Sequence, residues 1–384
     1  MNTQHLHWHE NGHERTALWQ ADNGARQPTR VQTVSALDAN SAYRLASAGT
    51  GLLWRGDYQD ARQVLQGMSQ RLEAAALRKK STSSVQPGGA EGFEQHRKAQ
   101  ALRVRVLGQL LIEVDGSYRI ALKRAPDVVQ ACTEAWGPPD GQSRVLSLRS
   151  LQGLIGAHEW RRKGVPMAAL GGAHIHPHHG VFSPVRGEYV ALVAQAPLPA
   201  ALGTCPVAFD IGVGTGVLSA VLARRGIPRV VATDLSERAL ACASDNLTRL
   251  GLQAQVQLLR ADLFPPGQAA LIVCNPPWLP ARPTSVLEQA VYDEGSAMLR
   301  GFLFGLAAHL CAGGEGWLVL SDLAEHLGLR SRETLLQWFS DAGLRVLARM
   351  DTRPGHRKAH DANDPLHAAR AAEITSLWRL QARS

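Results

Sequence analysis

The amino-acid sequence predicts an α/β protein whose C-terminal half is built on a mostly parallel sheet, preceded by a mixed, largely helical region. Three observations carry that expectation. From residue 205 onward, apolar runs of five or six residues alternate with stretches of helical periodicity. Those runs are apolar throughout rather than at every second position, as strands covered on both faces require. The first of them leads into "GVGTG", a glycine turn that opens directly into a helix.

Taken in order, "VAFDI" (207–211) is the first strand and "GVLSAVLARRG" (216–226) the helix that follows it. "RVVAT" (229–233) is the second strand, followed by the helix "SERALACASDNLTRLG" (236–251). "VQLLRA" (256–261) and "ALIVC" (270–274) are the third and fourth strands, and "AMLRGFLFGLAAHLC" (297–311) is a helix. "GWLVLS" (316–321), "LRVLARM" (344–350) and "EITSLWRLQA" (373–382) complete the set of strands. A chain of 384 residues suits two domains at roughly one per 150, and the division is expected between residues 1–180 and 181–384. In the first part, "GDYQDARQVLQGMSQRLEAAALRKK" (56–80) has helical periodicity, with a basic end that suits a helix C-terminus. "STSSVQPGGAEG" (81–92) has the composition of a flexible linker. "FEQHRKAQALRVRVLGQLL" (93–111) reads as another helix and "YRIAL" (118–122) as a short strand.

Composition narrows the class. No apolar run is long enough to cross a membrane, and the first residues have neither the basic start nor the apolar core of a secretory signal. The five cysteines (Cys132, Cys205, Cys242, Cys274, Cys311) lack paired spacing, which reads as reduced thiols in a cytoplasmic protein. Net charge is +8, and residues 1–200 carry +7 of it. A basic N-terminal half suits RNA or an acidic protein partner, and equally a solvated basic surface.

The turn "FDIGVGTG" places Asp210 at the end of a strand and Gly212, Gly214 and Gly216 at alternate positions before a helix. Glycines let a ligand lie against the backbone, and a helix N-terminus adds partial positive charge. Asp234 ends "VVATD", 22 residues after Gly212, where a carboxylate accepts from two ribose hydroxyls. Asp262, in "LLRADLF", ends the third strand, a place from which a carboxylate accepts from an adenine amino group. After the fourth strand comes Asn275-Pro276-Pro277-Trp278, and a turn needs one proline at most.

The ordered set "FDIGVGTG", "ATD", "RAD" and "NPPW" resembles the class I S-adenosylmethionine-dependent methyltransferases. Within them it is similar to the amino-methylating branch, whose signature is Asn or Asp, Pro-Pro, then Tyr, Phe or Trp. It looks most like the HemK-type enzymes, which methylate a glutamine nitrogen in peptide-chain release factors. The resemblance runs from about residue 180 to the C-terminus and includes "GVFSPVRGEYV" (180–190). It implies a Rossmann-like, seven-stranded, mostly parallel sheet and S-adenosyl-L-methionine as cofactor. Gly212, Gly214 and Gly216 are then expected to cradle the amino-acid part, with Asp210 near its ammonium, Asp234 on the ribose and Asp262 on the adenine.

Asn275, Pro276, Pro277 and Trp278 are then the catalytic set, with Asn275 also bordering the cofactor. A planar amide or nucleobase amine is a poor nucleophile because its lone pair is delocalised. Two acceptors, the Asn275 side-chain oxygen and the Pro276 carbonyl, grip its N–H groups and aim the lone pair. The prolines fix that carbonyl and bring no competing N–H, while Trp278 offers a flat face for stacking. Catalysis by positioning suffices, since the proton leaves after the nitrogen has become cationic.

Two features depart from the HemK pattern. The fourth position is Trp rather than the usual Tyr, and the N-terminal region is close to 200 residues, far longer than the small helical domain of those enzymes. Related ribosomal-RNA guanine methyltransferases do carry a long N-terminal domain, but with Phe-His where this chain has Trp278-Leu279. The resemblance to the HemK-type enzymes implies a protein glutamine as the substrate, as in a release factor. The alternative is an exocyclic amine of RNA, or secondarily DNA (guanine N2 or adenine N6). A non-catalytic cofactor-binding module is disfavoured by the intact Asn275, and a nicotinamide dehydrogenase by the alternate glycine spacing.

The histidine runs "HLHWHENGH" (5–13) and "HIHPHH" (174–179) invite a metal reading, but no carboxylate or cysteine cluster accompanies them and no metal is expected. Arg186 and Glu188 are candidates to shape the substrate pocket or to pair with each other. Trp54, Trp136 and Trp160 are expected in the core.

Overall fold

The computed structural model describes residues 4–21, 26–82, 88–185, 187–284, 287–355, 361 and 364–383. The chain divides into two units, one holding residues up to Glu159 and the other Trp160–Ser384 together with Gly88–Ala90. The division falls some twenty residues before the expected one at 180. The reason is packing: Val165, Met167, Leu170 and Ile175 are all buried in a core of the second unit.

In the N-terminal unit the strands are β1 (His5–Glu10), β2 (His13–Trp19), β3 (Arg30–Val34), β4 (Thr50–Trp54), β5 (Leu110–Val114) and β6 (Arg144–Ser147). The helices are α1 (Ala39–Ser47), α2 (Tyr58–Thr82), α3 (Gly89–Leu107), α4 (Val129–Trp136) and α5 (Leu148–Lys163), the last crossing the division. Helix outweighs strand, as expected. The six strands nevertheless form one sheet, ordered β1-β2-β6-β5-β4-β3, which sequence patterning did not show. These strands are short and adjoin helices: β5 begins three residues after α3 ends, and α5 follows β6 without a gap. One face packs Leu52, Trp54, Leu110 and Ile112 against Met68 of α2 and Leu151 of α5. On the other face Leu6, Trp8, Leu53, Leu111 and Val145 close together.

Two expectations here are corrected. Residues 118–122 form no strand, because the Asp115 side chain accepts from the amides of Ser117 and Arg119 (both 2.8 Å) and curls the chain into a turn. Residues 81 and 82 finish α2 and residues 89–92 begin α3, so the linker expected over 81–92 is helical at both ends. Its residues 83–87 lie outside those described.

The C-terminal unit begins with a short ribbon of β7 (Val165–Pro166) and β8 (His174–Ile175), then α6 (Glu188–Gln195). Its sheet comprises β9 (Val207–Ile211), β10 (Arg229–Asp234), β11 (Val256–Arg260), β12 (Ala269–Cys274), β13 (Leu310–Ser321), β14 (Leu344–Thr352) and β15 (Thr375–Ala382). Between them lie α7 (Val217–Arg224), α8 (Glu237–Arg249), α9 (Ala297–His309), α10 (Leu323–His326), α11 (Arg332–Asp341) and α12 (His367–Ala372). Every strand expected from sequence between residues 205 and 384 is present. The order is β11-β10-β9-β12-β13-β15-β14, parallel except for β15, which runs antiparallel to both neighbours.

Burial explains the uninterrupted apolar runs. Ala208 and Phe209 are adjacent in β9 and enter cores on opposite faces, and both are fully covered. The order reverses between β9 and β12, and ligands bind in such sheets outside the carboxyl ends of the strands at that reversal. Both sequence motifs end there.

Candidate active site

The glycine loop leaves β9 with Gly212, Gly214 and Gly216 all at positive φ (79°, 51° and 80°), which favours residues without a Cβ. The amides of Gly212 and Val213 donate to the Thr233 carbonyl at 2.9 and 2.8 Å, tying the loop to the end of β10. A Cβ on Gly212 would lie 2.8 Å from the terminal methyl of Met298. One on Gly216 would lie 3.2 Å from the Cα of Ala243. Over Gly214 no atom would come closer than the Gly212 carbonyl at 4.0 Å, so that side of the loop is open.

Asp210 and Asp234 adjoin the loop, and Asp262 follows the neighbouring strand β11 at the edge of the sheet. Asp210, 1% exposed, accepts from the Ser219 hydroxyl at 2.6 Å. Its burial pushes the pKa up to about 6, against the pull of Ser219. Asp234 at the end of β10 accepts from the Gly214 amide at 3.1 Å and the Ser236 amide at 2.9 Å, and so fixes the loop as well as facing it. Asp262 lies two residues beyond β11 and is exposed. A buried acid, a half-buried acid at a strand end and a loop with one bare backbone face fit a ligand that joins an amino acid to a nucleoside.

Asn275 follows β12 directly. Its Oδ1 accepts from the indole Nε1–H of Trp278 at 2.9 Å, a contact that the sequence does not announce. The second lone pair of Oδ1 is left for another donor. Pro276 is buried, and its carbonyl accepts no hydrogen bond among the described residues. Trp278 is half-buried and packs against the cores on both faces of the sheet. Beyond it, Leu279 donates to the Val291 carbonyl (3.1 Å) and accepts from the Asp293 amide (2.9 Å), which closes the loop back on itself. Asp293 in turn accepts from the amides of Met298 and Leu299 and holds the start of α9. Through Met298 over Gly212, the acceptor loop and the glycine loop are joined.

The chain matches the family model "Methyltransferase small domain" over residues 172–341. It is 34% identical over 219 residues to a release factor glutamine methyltransferase of Bordetella pertussis, covering 49% of this chain and 77% of that protein. The chain belongs to the class I methyltransferases. Their cofactor is S-adenosyl-L-methionine, and the chemistry of the glycine loop with Asp210 and Asp234 beside it suits that group. Among further relatives, a release factor glutamine methyltransferase of Cereibacter sphaeroides is 34% identical over 120 residues, 28% of this chain and 43% of that protein. A ribosomal RNA small subunit methyltransferase C of Alcanivorax borkumensis is 31% identical over 176 residues, 45% of this chain and 47% of that protein. The chain thus spans less than half the length of both these relatives.

Other residues that sequence singled out serve elsewhere. In β1 His5, His7 and His9 point outward, alternating with buried Leu6 and Trp8. His176 Nδ1 meets the Arg161 carbonyl at 2.7 Å and His178 Nε2 meets Asp245 at 2.8 Å, contacts that pin this segment to its surroundings. No group of three His, Cys, Asp or Glu side chains among the described residues is placed to hold a metal. Trp54 is core, whereas Trp160 is 51% exposed, contrary to expectation. Arg186 lies outside the described residues. Ser219 and Met298 were missed. Ser219 sits three residues past Gly216 in α7 and was legible as a hydroxyl on the loop's helix, while Met298 carries no such signal.

Proposed function

We propose that this protein is an S-adenosyl-L-methionine-dependent N-methyltransferase whose acceptor is a planar nitrogen, the side-chain amide of a protein glutamine. The observation that carries this is the pair of acceptors at the end of β12. Asn275 Oδ1 has one lone pair uncommitted and the Pro276 carbonyl has no donor among the described residues. S-adenosyl-L-methionine supplies an electrophilic methyl group. The protein's contribution is to hold the nitrogen: Asn275 and Pro276 accept its two N–H groups, and Trp278, kept in place by its own N–H bond to Asn275, gives the flat wall. The release factor glutamine methyltransferases among its relatives support a protein acceptor, and a peptide-chain release factor is the first substrate to try.

A second reading, an exocyclic amine of RNA, is favoured by a specific observation: residues 1–200 carry +7 of the net charge of +8. The ribosomal RNA methyltransferase relative agrees with it. One experiment separates the two. Extract from cells lacking the protein is incubated with it and methyl-labelled S-adenosyl-L-methionine, then divided between protease and nuclease. Precipitable label lost to protease supports the glutamine reading, and label lost to nuclease replaces it with RNA.

A further inference from the structure

Leu263 has a φ of 64°, a left-handed conformation that is rare for a bulky aliphatic residue. Such backbone persists only where its surroundings hold it, and it concentrates at ligand clamps. Three contacts hold this one. The Thr233 hydroxyl donates to the Leu263 carbonyl at 2.5 Å. The Leu263 side chain fills a notch in α9, where a Cβ on Gly301 would lie 2.5 Å from its Cδ1. One turn along α9, the next residue repeats the arrangement. Phe264 covers Gly305, where a Cβ would lie 2.5 Å from its ring, and that ring stacks on His309 with centroids 4.3 Å apart.

Thr233 is fully buried, one residue before the end of β10. Its two oxygens serve two separate segments. The carbonyl accepts from the amides of Gly212 and Val213 in the glycine loop, and the hydroxyl holds Leu263. Valine has the same branched shape and suits a buried strand, so packing alone does not call for the hydroxyl.

Asp262 directly precedes Leu263. It is exposed, and its carboxylate has no hydrogen bond or ion pair among the described residues. The backbone beside Asp262 is therefore pinned at three points while the carboxylate itself is left unengaged. That is how an acceptor is mounted for a ligand rather than for the fold.

We propose that Thr233 is a positioning residue: through Leu263 it sets Asp262 as the acceptor of the adenine amino group, in register with the glycine loop that it also holds. Without the hydroxyl, the left-handed turn at Leu263 is released toward ordinary backbone and the carboxylate moves off its mark. The proposal rests on the cofactor reading and goes beyond it by naming the residue that ties one end of that site to the other.

Calorimetry on the full-length protein compares S-adenosyl-L-homocysteine with its inosine counterpart, in which oxygen replaces the adenine amino group. A carboxylate held at that amino group prefers the adenine compound by about tenfold or more, on the scale of a hydrogen bond to a charged group. The preference is expected to disappear in Thr233→Val and to remain in Thr233→Ser, which keeps the hydroxyl. Asp262→Ala should lose it as well, with no further loss when Thr233→Val is added. If Thr233→Val does not fold, Gly301→Ala takes its place: it displaces the Leu263 side chain from the α9 face and should reduce the preference several-fold. Equal weakening of both compounds in Thr233→Val, with the preference intact, would make the hydroxyl merely structural and overturn the proposal. A wild type that binds both compounds equally well overturns it too. Binding of neither compound by the wild type overturns the cofactor reading and the proposal with it, so the two failures are told apart.

Discussion

Trp278→Phe removes the indole N–H, together with the pyrrole part of the ring, and keeps a smaller aromatic wall. In the wild type the indole N–H donates to Asn275 Oδ1 at 2.9 Å, fixing which way the carboxamide faces. Without it, Asn275 can turn and present its NH₂ group, a donor, to an acceptor nitrogen that itself brings only donors. A neutral hydrogen bond contributes about 0.5–1.5 kcal/mol net, which corresponds to a loss of roughly 2- to 12-fold in kcat/KM. Affinity for S-adenosyl-L-methionine should not change, because neither the glycine loop nor Asp234 touches the indole N–H. The assay is steady-state methyl transfer to the acceptor identified by the protease and nuclease split, with cofactor affinity measured in parallel. An unchanged or increased kcat/KM would refute the positioning role, and a fall confined to cofactor affinity would refute the division between the two loops.

Further outcomes follow from the same geometry. Asp210, raised from an ordinary 3.8 to about 6 by burial, holds its proton more tightly folded than unfolded. The apo-protein should therefore lose stability as pH rises from about 4 to about 6, by roughly 3 kcal/mol in all, and Asp210→Asn should flatten that slope in urea titrations. In the same range the affinity for S-adenosyl-L-methionine should rise with pH, since the ionised carboxylate is the form that attracts an ammonium; calorimetry at pH 5 and 7 checks it. Asp234→Ala removes the acceptor of the Gly214 and Ser236 amides and should weaken cofactor binding by about tenfold or more, on the scale of a charge-assisted hydrogen bond. Much of the methylation rate should return at saturating cofactor. Gly216→Ala forces a side chain into left-handed backbone with Ala243 3.2 Å away, and should lower stability by about 1–2 kcal/mol, read as a shift in Tm.

The C-terminal sheet was legible because strands buried on both faces leave unbroken apolar runs, and because its glycines and acids fall at strand ends in a fixed order. The N-terminal sheet was not. Its strands, such as "RVLS" in β6, are four to seven residues long and merge into helical text. At the site, the residue types of Asn275, Pro276 and Asp234 announced their places. The bond between Trp278 and Asn275 depends on side-chain rotation, so it leaves no trace in spacing. Asp210 was expected to face an ammonium; its contact with Ser219 and its raised pKa come from packing that only the folded chain reveals.

The most direct test of the central claim is methyl transfer by Asn275→Ala beside the wild type, with S-adenosyl-L-methionine binding measured on both. Removing the gripping oxygen should abolish detectable transfer while cofactor affinity stays within about twofold, since no cofactor-loop hydrogen bond is altered. Transfer at the wild-type rate by Asn275→Ala would contradict the account.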